Sequence, residues 1–399
     1  MFEFEITKKG SYKKERLGTI HTKNGDIQTP AFAVVGTKAT VKALTPKQVL
    51  ESGAQVMLAN TFHLYLEPGR DVVKKHGGFG PMAAWHGPTI TDSGGFQAFS
   101  LGAAFGRNIS KVARGDEDAL DPTEADLGTE SFARIDEDGV SFKSPIDGSL
   151  HRFTPESSME VQWDLGADII FAFDECTSPM ASYEYQREAM DRTHRWAKRC
   201  IDRHEQLDTE KVQALFGVVQ GGRFEDLRKE SAKVLGEMNF DGFGIGGSFN
   251  KDDLGEAVGW VSDTLPEEKP RHLLGIGEPG DVVLGVKEGM DLFDCVSPTR
   301  IARNGRLHTR NGDINIFNAS YKNDFSRIEE GCECYTCQNF TKAYIAHLFR
   351  SKEMLAGTLA SIHNVYFMNK LFSDIRDSIK EDRFEEFEKE FFSKYYAKK

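Results

Sequence analysis

The sequence predicts an α/β protein built on a (β/α)8 TIM barrel, and three observations predict it. Eight short apolar runs recur along the chain, at 32–35, 56–59, 89–92, 169–173, 215–220, 243–245, 272–275 and 292–293. Stretches of helical periodicity separate most of them, at 45–52, 155–165, 183–204, 224–236 and 252–264. Several runs also share one punctuation: Gly53, Gly166, Gly242 and Gly289 precede a run, and Asn60, Asp92, Asp174, Gln220 and Asp294 close one.

Each part of that pattern has a physical reading. A glycine before the strand suits the left-handed C-cap of the preceding helix. A run without polar alternation suits a strand buried on both faces, as in parallel sheets flanked by helices. Such a barrel carries its active site at the C-terminal ends of the strands, so Asn60, Asp92, Asp174, Gln220 and Asp294 are expected to face one another. A doubly wound open sheet is the structural alternative.

At 399 residues the chain is long enough for one large barrel or two to three ordinary domains. Hydrophobic residues make up 39% and charged residues 28%, which is globular rather than disordered. A net charge of −12 argues against nonspecific, charge-driven binding to nucleic acid. A local basic face stays compatible with it, because charges more than about 8 Å apart are largely screened. The first residues, MFEFEITKKGSYKKER, lack the apolar core of a secretory signal, and no apolar run approaches the roughly 20 residues of a membrane span. A cytoplasmic location without membrane contact is therefore expected.

The segment 101–141 interrupts the rhythm. It is dense in Asp and Glu between 115 and 138 and reads as a solvated loop inserted after the third strand. The expected organisation is a catalytic barrel over 1–320 containing this insertion. A metal-binding subdomain and C-terminal helices then fill 321–399 and include the last barrel helix.

Four motifs carry chemistry. Cys332, Cys334 and Cys337 with His363 form a C-x-C-x2-C-x25-H set; three thiolates and one imidazole fill a tetrahedral zinc shell with no open position, so the ion is expected to be structural. His347 is a competing fourth ligand. The turn Asp92-Ser93-Gly94-Gly95-Phe96 follows the third strand; its glycines let the backbone approach a flat ligand, Phe96 offers a stacking face, and Asp92 can accept or donate a proton. Asp174 and Gln220 end two further strands and suit the edge of a guanine-like ring, with Gly246 and Gly247 on a third side. Asp294 lies beside a stretch rich in arginine, Arg300, Arg303, Arg306 and Arg310, which places an acid next to an anion-binding surface.

DSGGFQ, FDE, VQGG, FDCVSPTR and the cysteine-histidine set, in this order, closely resemble the bacterial tRNA-guanine transglycosylases from about residue 15 to residue 370. The resemblance implies a (β/α)8 barrel with an inserted zinc subdomain. It also implies exchange of the wobble guanine of certain tRNAs for a 7-deazaguanine on the route to queuosine. Carried over by position, Asp294 is the nucleophile and Asp92 the general acid/base. Asp92, Ser93, Gly94, Gly95, Phe96, Asp174, Gln220, Gly247 and Ser248 border the base. Gly275, Ile276, Gly277, Glu278, Pro279, Gly280 and Asp281, with Thr299, Arg300, Ile301, Ala302 and Arg303, meet the anticodon loop. The resemblance also selects His363 as the fourth ligand of one zinc per subunit, and implies a homodimer that needs no organic cofactor.

Where bacterial members usually read GGLAVGE, this chain reads Gly246-Gly247-Ser248-Phe249-Asn250-Lys251-Asp252. The leading incoming base is 7-aminomethyl-7-deazaguanine, with queuine salvage as the alternative. Two rival classes remain for comparison. A metal-dependent barrel hydrolase needs a His-x-His after the first strand, which AFAVVGT lacks. A non-catalytic RNA-binding module explains the arginines and the zinc but not two acids and a glutamine converging on one pocket.

Overall fold

The computed structural model describes residues 2–103, 112–113, 133–178, 180–246, 249–250 and 254–397. Eight parallel strands close into a barrel in sequence order: β1 (Ala31–Val35), β2 (Val56–Ala59), β3 (Thr89–Thr91), β4 (Ile169–Phe171), β5 (Ala214–Val219), β6 (Gly242–Ile245), β7 (Arg271–Leu273) and β8 (Leu292–Cys295). The seam is the β8–β1 pair, where Leu292 opposes Ala31 and Asp294 opposes Ala33. The open-sheet alternative is thereby excluded.

Burial on two faces explains the unbroken apolar runs. In β1, Ala31, Ala33 and Val35 join the barrel interior with Val56, Leu58, Ile90, Ile169, Phe171, Phe216 and Leu292. Phe32 and Val34, one residue out of phase, pack against the surrounding helices. The predicted helices form close to their expected limits, as Pro46–Glu51, Pro155–Leu165, Tyr183–Leu207, Glu225–Gly236 and Leu254–Ser262. Gly53, Gly166 and Gly289 have φ of +85°, +70° and +83°, the left-handed values expected of them. Gly242 differs. It lies inside β6, where a Cβ would stand 2.5 Å from the Phe216 ring, so its small size makes room for packing rather than capping a helix.

An antiparallel sheet of Glu3–Lys9, Arg16–Thr22 and Gly25–Thr29 accompanies the barrel, and its Ile20 and Ile27, with Phe2 and Phe4 against them, belong to the interior cluster. Arg16 clamps it there. Its guanidinium meets both carboxylate oxygens of the fully buried Asp291, at 2.9 and 2.6 Å, just before β8. Across the seam lies the longest helix among the described residues, Met354–Lys380, whose Phe372 stacks on Phe32 of β1 at 6.0 Å and meets Phe293 of β8 at a tilt, 5.3 Å away.

The expected loop at 101–141 is partly something else. Its last part forms the strands Ala133–Asp136 and Gly139–Lys143, which continue antiparallel into Leu150–Phe153 and bury Val140 and Phe142. The half-buried alternation of Ala133-Arg134-Ile135-Asp136 is hard to see beside so many charges. The backbone of Val112–Ala113 pairs with Phe249–Asn250 beyond β6. Residues 104–111 and 114–132 of the insertion lie outside the described residues.

Candidate active site

One side of the candidate site is assembled from the ends of β2 to β5. Asn60 ends β2 and caps the Thr61–Leu64 helix through its Oδ1, leaving its amide Nδ2 to donate to Asp92 Oδ2. The Thr61 backbone N–H donates to Asp92 Oδ1 at 2.8 Å. Asp92 is thus held by the start of the preceding helix.

Beyond Asp92 the chain turns at Gly94, with φ +77°, and enters the Gly95–Ala103 helix on which half-buried Phe96 sits. A Cβ on Gly95 would approach the Asp174 carbonyl oxygen to 2.8 Å, so a glycine is required there. The same turn brings Ser93 to Asp174: the hydroxyl donates to Oδ1 at 2.9 Å, and Gln220 Nε2 donates to Oδ2 at 2.7 Å. All three side chains are buried. With its amide nitrogen turned to the carboxylate, Gln220 keeps Oε1 as a buried acceptor that has no partner among the described residues. An unpaired buried acceptor beside a carboxylate is a site for the N–H edge of a planar base.

Asp294 approaches from β8. Its Oδ1 accepts from the Gly275 backbone N–H at 2.9 Å and faces His272 Nε2 at 3.0 Å. The two expected acids therefore stand over strand ends of one closed barrel, Asp92 beyond β3 and Asp294 within β8.

The cysteine-histidine set is brought together and buried. The three Sγ atoms lie 3.8, 3.5 and 3.4 Å from His363 Nδ1, and every donor atom is within 4.8 Å of the others. His363 Nε2 donates to the His308 carbonyl at 2.7 Å, which turns Nδ1 and its lone pair toward the sulfurs. This donor set, soft and closed, fits a tetrahedral metal ion.

The chain matches the family model described as queuine tRNA-ribosyltransferase over residues 11–397. A protein of Caldanaerobacter subterraneus subsp. tengcongensis with that name is 46% identical, covering 99% of this chain and 98% of its own. Namesakes from Thermoanaerobacter sp. and Actinobacillus pleuropneumoniae are 47% and 44% identical over 98% and 97% of this chain, and over 97% and 95% of their own. The chain belongs to the queuine tRNA-ribosyltransferase family.

Within this family member, the two segments expected to meet RNA are unevenly exposed. Ile276, Gly277, Pro279, Gly280 and Asp281 are buried, and so are Thr299 and Ala302. These residues pack within the fold of the chain itself. Gly275, Glu278, Ile301 and Arg303 are half-buried, and Arg300 is exposed. Glu278 caps the Pro279–Lys287 helix through Gly280 N and Asp281 N and accepts from the Tyr396 hydroxyl at 2.5 Å. Arg303 leaves one guanidinium nitrogen buried without a partner among the described residues, and burial followed by the nearby Arg300 charge lowers its pKa. Two guanidinium groups that repel each other attract an anion. Gly247 and Ser248, expected beside the base, lie outside the described residues.

Two residues escaped sequence reasoning. His272 reads as an ordinary strand residue. Arg228 reads as one more charge on an amphipathic helix, yet it is fully buried and donates to the carbonyls of Gly222 at 2.6 Å and Gly246 at 3.0 Å, tying the loops after β5 and β6. Arginine is almost never fully buried, so no local pattern announces it.

Proposed function

We propose that this chain exchanges guanine at the wobble position of tRNA for a 7-deazaguanine, holding the ribose covalently on Asp294 meanwhile. The observation that carries this reading is the opposition of two prepared sites. Asp294 is oriented on β8 by Gly275 and His272, while Ser93, Asp174 and Gln220 form a buried base-edge reader beside Asp92. Asp294 attacks the anomeric carbon as the glycosidic bond breaks, and Asp92 gives the departing guanine its proton. The incoming base returns a proton to Asp92, attacks the same carbon and releases the aspartate. This is the two-step logic of retaining glycosidases, so the backbone of the tRNA stays intact and no energy source is needed.

The rest of the site takes supporting roles. Ser93, Gly94, Gly95, Phe96, Asp174, Gln220, Gly247 and Ser248 border the base, which is 7-aminomethyl-7-deazaguanine. Arg300 and Arg303 meet the anticodon loop. One structural zinc on Cys332, Cys334, Cys337 and His363 fastens the 321–399 subdomain to the barrel seam. The functional unit is a cytoplasmic homodimer; the ring contacts Tyr335–Phe340 at 5.9 Å and Phe340–Tyr344 at 5.3 Å, with both tyrosines exposed, suit a second copy.

Asp294→Ala tests the central step. The variant is expected to fold and bind tRNA but to incorporate no labelled guanine and to form no denaturation-resistant adduct with tRNA. Appreciable turnover would overturn the nucleophile.

A further inference from the structure

Asp294 is held at one oxygen by two donors from the neighbouring strand and its loop. His272 Nε2 and the Gly275 N–H both meet Oδ1, at 3.0 and 2.9 Å. The second donor is backbone. The first is a fully buried histidine in the middle of β7, with Gly244 of β6 on one side and Leu292 of β8 on the other. The Phe171 ring of β4 stands edge-to-face against it at 5.4 Å. Its Nδ1 has no hydrogen-bond partner among the described residues. A core histidine kept only for packing is an unfavourable choice in such a place, since a buried polar atom left unpaired is destabilising.

We infer that His272 is a positioning residue for Asp294: a neutral imidazole, protonated on Nε2, that fixes Oδ1 and with it the rotation of the carboxylate. The inference rests on the reading of Asp294 as nucleophile.

The tautomer follows from the surroundings. The nitrogen facing a carboxylate carries the hydrogen, so Nε2 is the donor. A second proton on Nδ1 would put an N–H and a net charge into the buried barrel interior, where Phe171 stands edge-to-face against the ring and Nδ1 has no hydrogen-bond partner among the described residues. That proton would also pair an imidazolium with the nucleophile and blunt it.

A neutral donor avoids this and serves both steps. While Asp294 is a carboxylate, the two donors fix the rotation of the group. When the bond from the carboxylate to C1′ forms and the C1′–base bond breaks, Oδ1 still accepts from both. When the incoming base displaces the ester, the returning negative charge develops where the donors already point, with no reorganisation. The His272 proton stays on Nε2 throughout.

His272→Phe keeps the ring's size and removes the donor; His272→Gln keeps a donor near the same place. Loss of a hydrogen bond to a charged group corresponds to a fall of roughly 10- to 100-fold in kcat for His272→Phe, with KM for tRNA and the thermal midpoint little changed. His272→Gln is expected to recover most of that loss. In ¹⁵N-histidine NMR of the wild type near pH 7.5, the signal lost in His272→Phe is expected to be the neutral Nε2–H form.

An imidazolium or Nδ1–H signal, an unchanged kcat in His272→Phe, or equal losses in both variants that track lowered stability would each overturn the assignment. Asp294→Asn is measured in parallel. If it retains turnover, the nucleophile reading has failed; if it is inactive while His272→Phe is unaffected, only the role of His272 has.

Discussion

Asp313 is a buried acid with a structural task, and its chemistry makes that task measurable. Burial would raise its carboxyl, but hydrogen bonds from His308 and Tyr395 and the charge of Arg306 bring it down to about 2. His308 is also the residue whose carbonyl orients His363 of the cysteine-histidine cluster. Asp313 thus fastens Tyr395, at the end of the Phe384–Tyr395 helix, to the segment around His308. A carboxyl shifted from near 3.9 to about 2 contributes about 2 kcal/mol near neutral pH. Because the folded value lies below the unfolded one, that stability is present above about pH 4 and is lost as pH falls through about 2. Asp313→Asn is expected to lower the unfolding free energy by about that amount at pH 7. In denaturant titrations over a pH series, the gap from wild type should narrow between about pH 4 and 2; a gap that stays constant would remove the ionic explanation. At this scale the sequence was legible where one residue type has one meaning, as with three clustered cysteines. It was illegible for His272 and Arg228, whose roles depend on partners such as Asp294 and Gly246 that only the closed barrel brings near.

At the scale of elements, two helices link fold to proposed activity. Met354–Lys380 supplies His363 to the cysteine cluster, Asn364 to the carbonyls of Pro298 and Arg306, and Phe372 to the barrel seam. Cys334→Ser is expected to abolish bound zinc by metal analysis and to lower the thermal midpoint by at least about 5 °C, since a structural site contributes directly to folding free energy. Retained zinc or an unchanged midpoint would defeat the ligand assignment. The second helix, Ser297–Arg303, exposes Arg300, leaves Arg303 half-buried and buries Pro298, Thr299 and Ala302. Arg303→Ala is expected to weaken tRNA binding across salt concentrations and reduce the salt slope by about 1, against no change if the guanidinium only covers surface. The strands were legible because burial on both faces removes polar alternation. Gly242 and the Ala133–Asp136 strand were not, because a glycine before a strand and a run of charges each have two structural causes.

The whole molecule is a closed ring of strands with one face for chemistry, and its exposed aromatic row is the proposed place of contact between two copies. Light scattering is expected to give twice the chain mass for the wild type and a shift toward monomer for Tyr344→Asp; a wild-type monomer at micromolar concentration would count against the homodimer. The Arg16–Asp291 clamp has a further consequence during synthesis. The two residues are 275 positions apart, and at 5 to 20 residues per second the arginine waits roughly 14 to 55 s for its acid to be made. Through that interval Ile20, Ile27 and the all-apolar Ala31–Val35 have neither β8 nor the Met354–Lys380 helix to cover them. The nascent chain therefore carries a sticky leading end that stays partly uncovered until its own last third is made. Its demand on chaperones is set by translation speed, and slowing the ribosome late in the message should raise the fraction that aggregates.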